Sequence, residues 1–192
     1  MILFRNFTLA HWKLFAGNFL LLLCSLFYLA WWAVSFRPNQ PGGSSGGLWL
    51  AAAFITGIAG LGLMSAGIGS LSRDSKSQLV MYIVLGSTAL FFVLLAVTSI
   101  AFHRPLTSEL LIIHVWAAIE LCAIAVLYTA GRFGPGRAVT MSALVGIATI
   151  VGMVCYVLYY RLNEAAAYRA GMAPLAVDAL LMALFLVMMA FS

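Results

Sequence analysis

Six uninterrupted apolar runs, each about twenty residues or longer, leave this chain few ways to fold. At 1.5 Å per residue such a run, wound as a helix, crosses a hydrocarbon layer ~30 Å thick. The runs fall at about residues 14–36, 48–70, 78–102, 107–130, 138–160 and 172–191. They are continuously apolar, whereas the strands of a membrane barrel alternate over ~10 residues, so the reading is helical. Connections between runs are too short for a soluble domain. Composition agrees: 65% of residues are hydrophobic and 8% charged, against about 25% charged in soluble domains. The expected fold is all-α, a polytopic bundle of six transmembrane helices forming a single domain over residues 1–192. The first run is too long for the core of a signal peptide and no small-residue cleavage site follows it, so it is expected to remain as a span.

A net charge of +5 does not point to nucleic acid, because the ten basic residues are scattered singly among the connections. They read as determinants of orientation instead. With the N-terminus inside, Arg5, Lys13, Arg73, Lys76, Arg132 and Arg137 face the cytoplasm, and Arg37, Arg104, Arg161 and Arg169 face out. That balance favours an N-in, C-in arrangement, in the cytoplasmic (inner) membrane of a prokaryotic cell. Spans one to three and four to six would then run in opposite senses, which permits an inverted repeat, although the halves share no residue-level similarity. Cys24, Cys122 and Cys155 all fall within apolar runs without paired spacing and read as buried free thiols.

Along the chain, Asn6 or Thr8 is placed to cap the first helix, and Phe4, Phe7 and Trp12 beside Arg5, His11 and Lys13 suit the headgroup layer. On that helix Asn18, Ser25 and Tyr28 lie within about 80° of one another, with Trp32 on the same stripe, so this side should face protein. Trp31, Trp32 and Phe36 are expected at the far membrane boundary. Arg37–Gly47 (RPNQPGGSSGG) has the composition of a mobile connection, a linker or a lid. The second run carries glycines at 57, 60, 62, 67 and 69, interleaved with leucine and isoleucine. No strand precedes them, so they are not a phosphate loop; in lipid they let helix backbones approach, which predicts a central position for this helix. In the third run Ser87 aligns with Thr98 and Thr88 with Ser99, a weak sign of a polar path because hydroxyls also bond their own backbone. The fifth run lines up Ser142, Gly146, Thr149, Tyr156 and Tyr160. RLNEAAAYRA is expected to extend the fifth helix until Gly171 ends it, with Pro174 in the first turn of the last span and Asp178 one turn further.

The fourth run carries the residue hardest to explain as packing. Glu120 lies near its midpoint, where a carboxylate costs roughly 2.5–3.5 kcal/mol on insertion scales and needs a partner, a cavity or a proton. Glu109, Trp116 and Glu120 fall within about 40° of one another, and Ala117 and Ala123 flank them, as on an interior face. His114 is turned roughly 120° away from Glu120. No metal or haem is expected, since His11, His103 and His114 lie at different depths and no HxxxH or ExxH pair exists. An intramembrane protease is disfavoured because Ser44 and Ser45 sit in a soft loop and Asp178 is the only aspartate in any span.

The expected function is the binding or transport of a small, largely apolar or aromatic solute through a site around Glu120. His114, Trp116, Tyr28, Thr149, Tyr156, Asp178 and Glu109 would be its other substrate-binding groups. No cofactor is implied. A membrane enzyme acting on a lipid or isoprenoid through Glu120 and His114 is the alternative from another class, and an accessory subunit of a membrane complex is a third. A protonated Glu120 that merely bonds Tyr28, Ser25 or Thr149 of a neighbouring helix is the plainer structural account. Expected partners are membrane lipids, a small-molecule or lipid ligand, and a second membrane subunit or another copy of the chain, but not nucleic acid. In size, span count and an outward first loop the chain resembles the small substrate-capturing subunits of energy-coupling-factor vitamin transporters. Its first helix (AGNFLLLLCSLFYLAWWA) has leucine and phenylalanine where that family repeats an alanine every fourth residue, so the likeness is one of architecture.

Overall fold

A computed structural model describes residues 7–36, 46–72, 108–159 and 161–191, together with Ile83, Gly86, Ala89, Leu90, Val93, Ala96, Val97, Ile100 and Ala101; of residues 108–112 and 164 it describes the backbone alone. Among these residues the chain is all-α. Its five helices are α1 (Leu9–Ser35), α2 (Gly46–Leu71), α3 (Ser108–Thr129), α4 (Pro135–Tyr159) and α5 (Glu164–Ala190). Four of them, α1, α2, α4 and α5, are long and apolar enough to cross a membrane. The described residues between 83 and 101 are all helical. The rest of the expected third run, including Ser87, Thr88, Thr98 and Ser99, lies outside the described residues, as do His103 and residues 37–45 of the first connection. The chain divides into two compact units, Met1–Gly67 with Ile150–Ser192, and Ile68–Thr149.

In the first unit α1 is built to be touched on two sides. Its start is held by Thr8, whose backbone N–H donates to His11 Nδ1 at 3.3 Å while its hydroxyl lies 2.6 Å from the same nitrogen. Leu14, Gly17, Leu21 and Cys24, spaced alternately three and four apart, form the seam against α2. A Cβ added at Gly17 would stand 2.7 Å from the Met64 backbone nitrogen; one at Gly60 would meet Leu21, one at Gly67 would meet Leu14, and one at Gly57 would meet Cys24. These pairs share one antiparallel register from end to end. Apolar side chains gain little by leaving lipid for protein, so the close approach that glycine allows is what holds such a pair together.

The second seam of α1 runs against α5. Trp32 Nε1 donates to the Tyr168 carbonyl at 3.1 Å, and the Tyr168 hydroxyl donates to the Ala33 carbonyl at 3.4 Å. A Cβ on Gly171 would overlap the Trp32 ring. Trp32 is therefore 6% exposed and held by protein.

Three boundaries differ from the sequence expectation. Helix α4 stops at Tyr159, and EAAAYRA belongs to α5, because Asn163 caps the new helix by accepting from the Ala166 N–H at 3.0 Å. Gly171 does not end a helix; it lies within α5 where the Trp32 ring presses closest. Pro174 is likewise interior, a buried residue whose missing N–H leaves the Ala170 carbonyl without its usual partner. Helix α2 was expected to be central, yet among the described residues it buries Gly46, Ala53, Gly60, Met64 and Gly67, while Leu48, Phe54, Ile55 and Ile58 are exposed.

In the second unit α3 ends in a Schellman turn. Gly131 takes φ 72°, the left-handed conformation that glycine enters without strain. The Arg132 N–H then reaches back to the Leu127 carbonyl at 2.9 Å and the Gly131 N–H to that of Tyr128 at 3.0 Å. Phe133, 2% exposed, anchors the turn before Pro135 opens α4. Cys24, Cys122 and Cys155 are free thiols.

Candidate functional site

The face of α3 that carries Glu120 is interior. Glu120 is 2% exposed, Trp116 one turn before it 5%, and Ala117 and Ala123 are buried with it. A carboxyl group and an indole one turn apart on the same face of α3 are thus both kept from solvent. The Trp116 Nε1 is buried and has no hydrogen-bond acceptor among the described residues. His114 is half-buried and occupies a different face of α3, as helical geometry requires of residues six apart. Glu109 lies in the first turn of α3, and its side chain is outside the described residues.

Helix α4 presents a different side to the interior than its polar residues suggested. Met141, Val145, Ala148 and Gly152 are buried, while Ser142, Gly146, Thr149 and Tyr156 stand one residue round the helix and are half-buried. The Thr149 hydroxyl explains why it can sit on the flank: it donates to the Val145 carbonyl of its own helix at 2.8 Å. Tyr160 is outside the described residues.

Tyr28, Tyr156 and Asp178 belong to the first unit, whereas Glu109, His114, Trp116, Glu120 and Thr149 belong to the second. Tyr28 is half-buried on α1, its ring 4.9 Å from that of Trp31. Asp178 is 5% exposed in the middle of α5 and forms no ion pair among the described residues. The nearest basic residues in sequence, Arg161 and Arg169, are exposed. Because α5 begins at Glu164, Asp178 stands 14 residues inside it, about 21 Å along the axis, rather than near a helix end.

Two further buried polar residues, both on α1, lie outside the expected site. Asn18, on the protein-facing stripe of α1, is 0% exposed, and neither amide atom has a hydrogen-bond partner among the described residues. His11, assigned to the headgroup layer, is 6% exposed. The available signal was spacing: His11, Asn18, Ser25 and Trp32 follow one another at intervals of seven, and all four are buried. Among the described residues no group of three or more His, Cys, Asp or Glu side chains is placed to hold a metal ion. Comparison with protein-family models, with curated proteins and with solved structures finds no match.

Proposed function

We propose that the chain is an integral protein of the cytoplasmic membrane of a prokaryotic cell, with six spans and both termini inside, that binds or transports a small, largely apolar or aromatic solute at Glu120. The observation that carries the reading is the burial of Glu120 beside Trp116 on the alanine-bearing face of α3. A carboxyl group kept from water in a lipid-embedded helix is costly, and such residues mark substrate or proton pathways far more often than lipid-facing surface. An adjacent indole supplies a flat apolar wall with one donor, the chemistry that an aromatic or conjugated solute matches. Glu120 fixes the solute's polar end or exchanges a proton with it, and Trp116 lies along its apolar body. Basic residues support the orientation, since Arg132 and Arg137 bracket the α3–α4 turn, and Lys13 lies in the first turns of α1.

The test begins with mass spectrometry of small molecules released from protein purified in lipid nanodiscs, followed by uptake of the solute so identified into proteoliposomes. Glu120→Gln keeps the shape and loses the charge and the titration. It is expected to retain or transport about tenfold less, as loss of one hydrogen bond to a charged group implies. Uptake by E120Q that equals wild type in rate and in pH dependence excludes the reading.

A further inference from the structure

The seam between α1 and α5 holds polar groups that the Glu120 site does not use. Trp32 fixes the register, since its indole lies against Gly171 and bonds the Tyr168 carbonyl. The helices run in opposite senses, so stepping seven residues back along α1 and seven forward along α5 brings Ser25 level with Asp178. A further step brings Asn18 level with Phe185. Each step turns a helix by only about 20°, so these residues stay on the seam. All are buried: Ser25 is 9% exposed, Asp178 5%, Phe185 1% and Asn18 0%. Asp178 Oδ1 and both amide atoms of Asn18 have no hydrogen-bond partner among the described residues.

Neither residue is accounted for by packing, because leucine fills the same volume without a polar group to satisfy. Among the described residues of this unit no counter-ion lies at this level. The basic side chains of α1, His11 and Lys13, lie near its start, and Arg169 precedes Asp178 by nine residues on α5. The titratable groups flanking Ser25 on α1 are Cys24, which turns to Gly57 of α2, and Tyr28. On the Ile150–Tyr159 part of α4 they are Cys155, Tyr156 and Tyr159, the last of which stacks edge-on to Trp32 at 5.8 Å. A polar seam with donors and acceptors on both sides and no cation among the described residues is one that water can satisfy. Asn18 and Ser25 each offer a donor and an acceptor without changing charge.

We infer that Asn18, Ser25 and Asp178 hold a file of ordered water between α1 and α5, and that Asp178 is a proton-exchange site on that file. The step between Asn18 and Asp178 is about 10.5 Å along the axis, which some three waters span at hydrogen-bond spacing. In the exchange the Asp178 carboxylate takes a proton from a hydronium ion, leaving water, and later returns it to a water molecule. This site stands apart from the Glu120 reading and does not depend on it.

Infrared difference spectroscopy of the full chain in lipid bilayers, titrated with pH in H2O and D2O, tests the inference. The expected result is a carboxylic-acid C=O band that grows as pH falls, shifts down in D2O, disappears in Asp178→Asn, persists in Glu120→Gln and changes frequency in Asn18→Leu. Labelling the wild type with carboxyl-13C aspartate gives the same assignment without relying on a variant that must fold. The only other aspartate is Asp74, in the polar SRDSKS run, and Asp74→Asn removes its contribution. A labelled Asp178 band that neither titrates nor shifts in D2O identifies a dry, permanently protonated acid and overturns the inference. An Asp178 band unchanged by N18L, in protein that elutes and unfolds as wild type, overturns the water file.

Discussion

Trp32 shows how one side chain can settle the pairing of two helices. It serves the α1–α5 seam twice, by donating to the Tyr168 carbonyl and by pressing its ring onto the bare backbone of Gly171. Trp32→Phe keeps most of the ring and removes the donor. Reversible unfolding in mixed micelles is expected to register a loss of about 1 kcal/mol, the net worth of one hydrogen bond. The same contact explains a misreading. A glycine after a run of strong helix formers signals a helix end in sequence, and Gly171 follows EAAAYRA in that way. What overrides the signal is an indole 139 positions earlier in the chain, which no local pattern reveals. Glu120 was legible for the opposite reason. Its companions Ala117 and Ala123 lie on its own helix, so 3.6-residue periodicity alone marked the face as interior, and the three are buried together.

At the level of helices, α1 and α2 illustrate how glycine position rather than glycine number decides contact. Gly17 and Gly60 meet the partner helix, whereas a Cβ at Gly62 or Gly69 would have nothing within 4 Å. Gly17→Ala is expected to cost about 1–3 kcal/mol, because the neighbour it would strike is backbone and cannot rotate away. Gly62→Ala should be neutral or stabilising by up to about 1 kcal/mol through helix propensity. Thermal unfolding of the two variants side by side distinguishes contact from composition. The sequence showed that α2 would pack closely on something; it did not show which of its glycines would do so, and it overstated how much of the helix would be covered. A run in which small residues appear on every side carries no phase.

For the molecule as a whole, the fold class and four long apolar helices were readable from run length alone, because lipid imposes a fixed span on any helix that crosses it. Boundaries were less readable where a capping residue lay inside a polar connection, as Asn163 does. Orientation rests on scattered charges and makes a direct prediction. In a cysteine-free background, Gly134→Cys in the α3–α4 turn should react with an impermeant maleimide only when the cytoplasmic side is exposed, and Arg161→Cys in the α4–α5 turn only from the other side. Labelling of both from one side refutes the proposed arrangement.

The unbroken register between α1 and α2 has a mechanical corollary. Leu14, Leu21 and Cys24 of α1 sit over Gly67, Gly60 and Gly57 of α2, and Met64 of α2 sits over Gly17, so a piston stroke of one helix along the other would lift all four onto neighbouring side chains at once. The two must travel together as a single plank. Any rocking of this protein in the bilayer will bend at other joints and leave that pair locked.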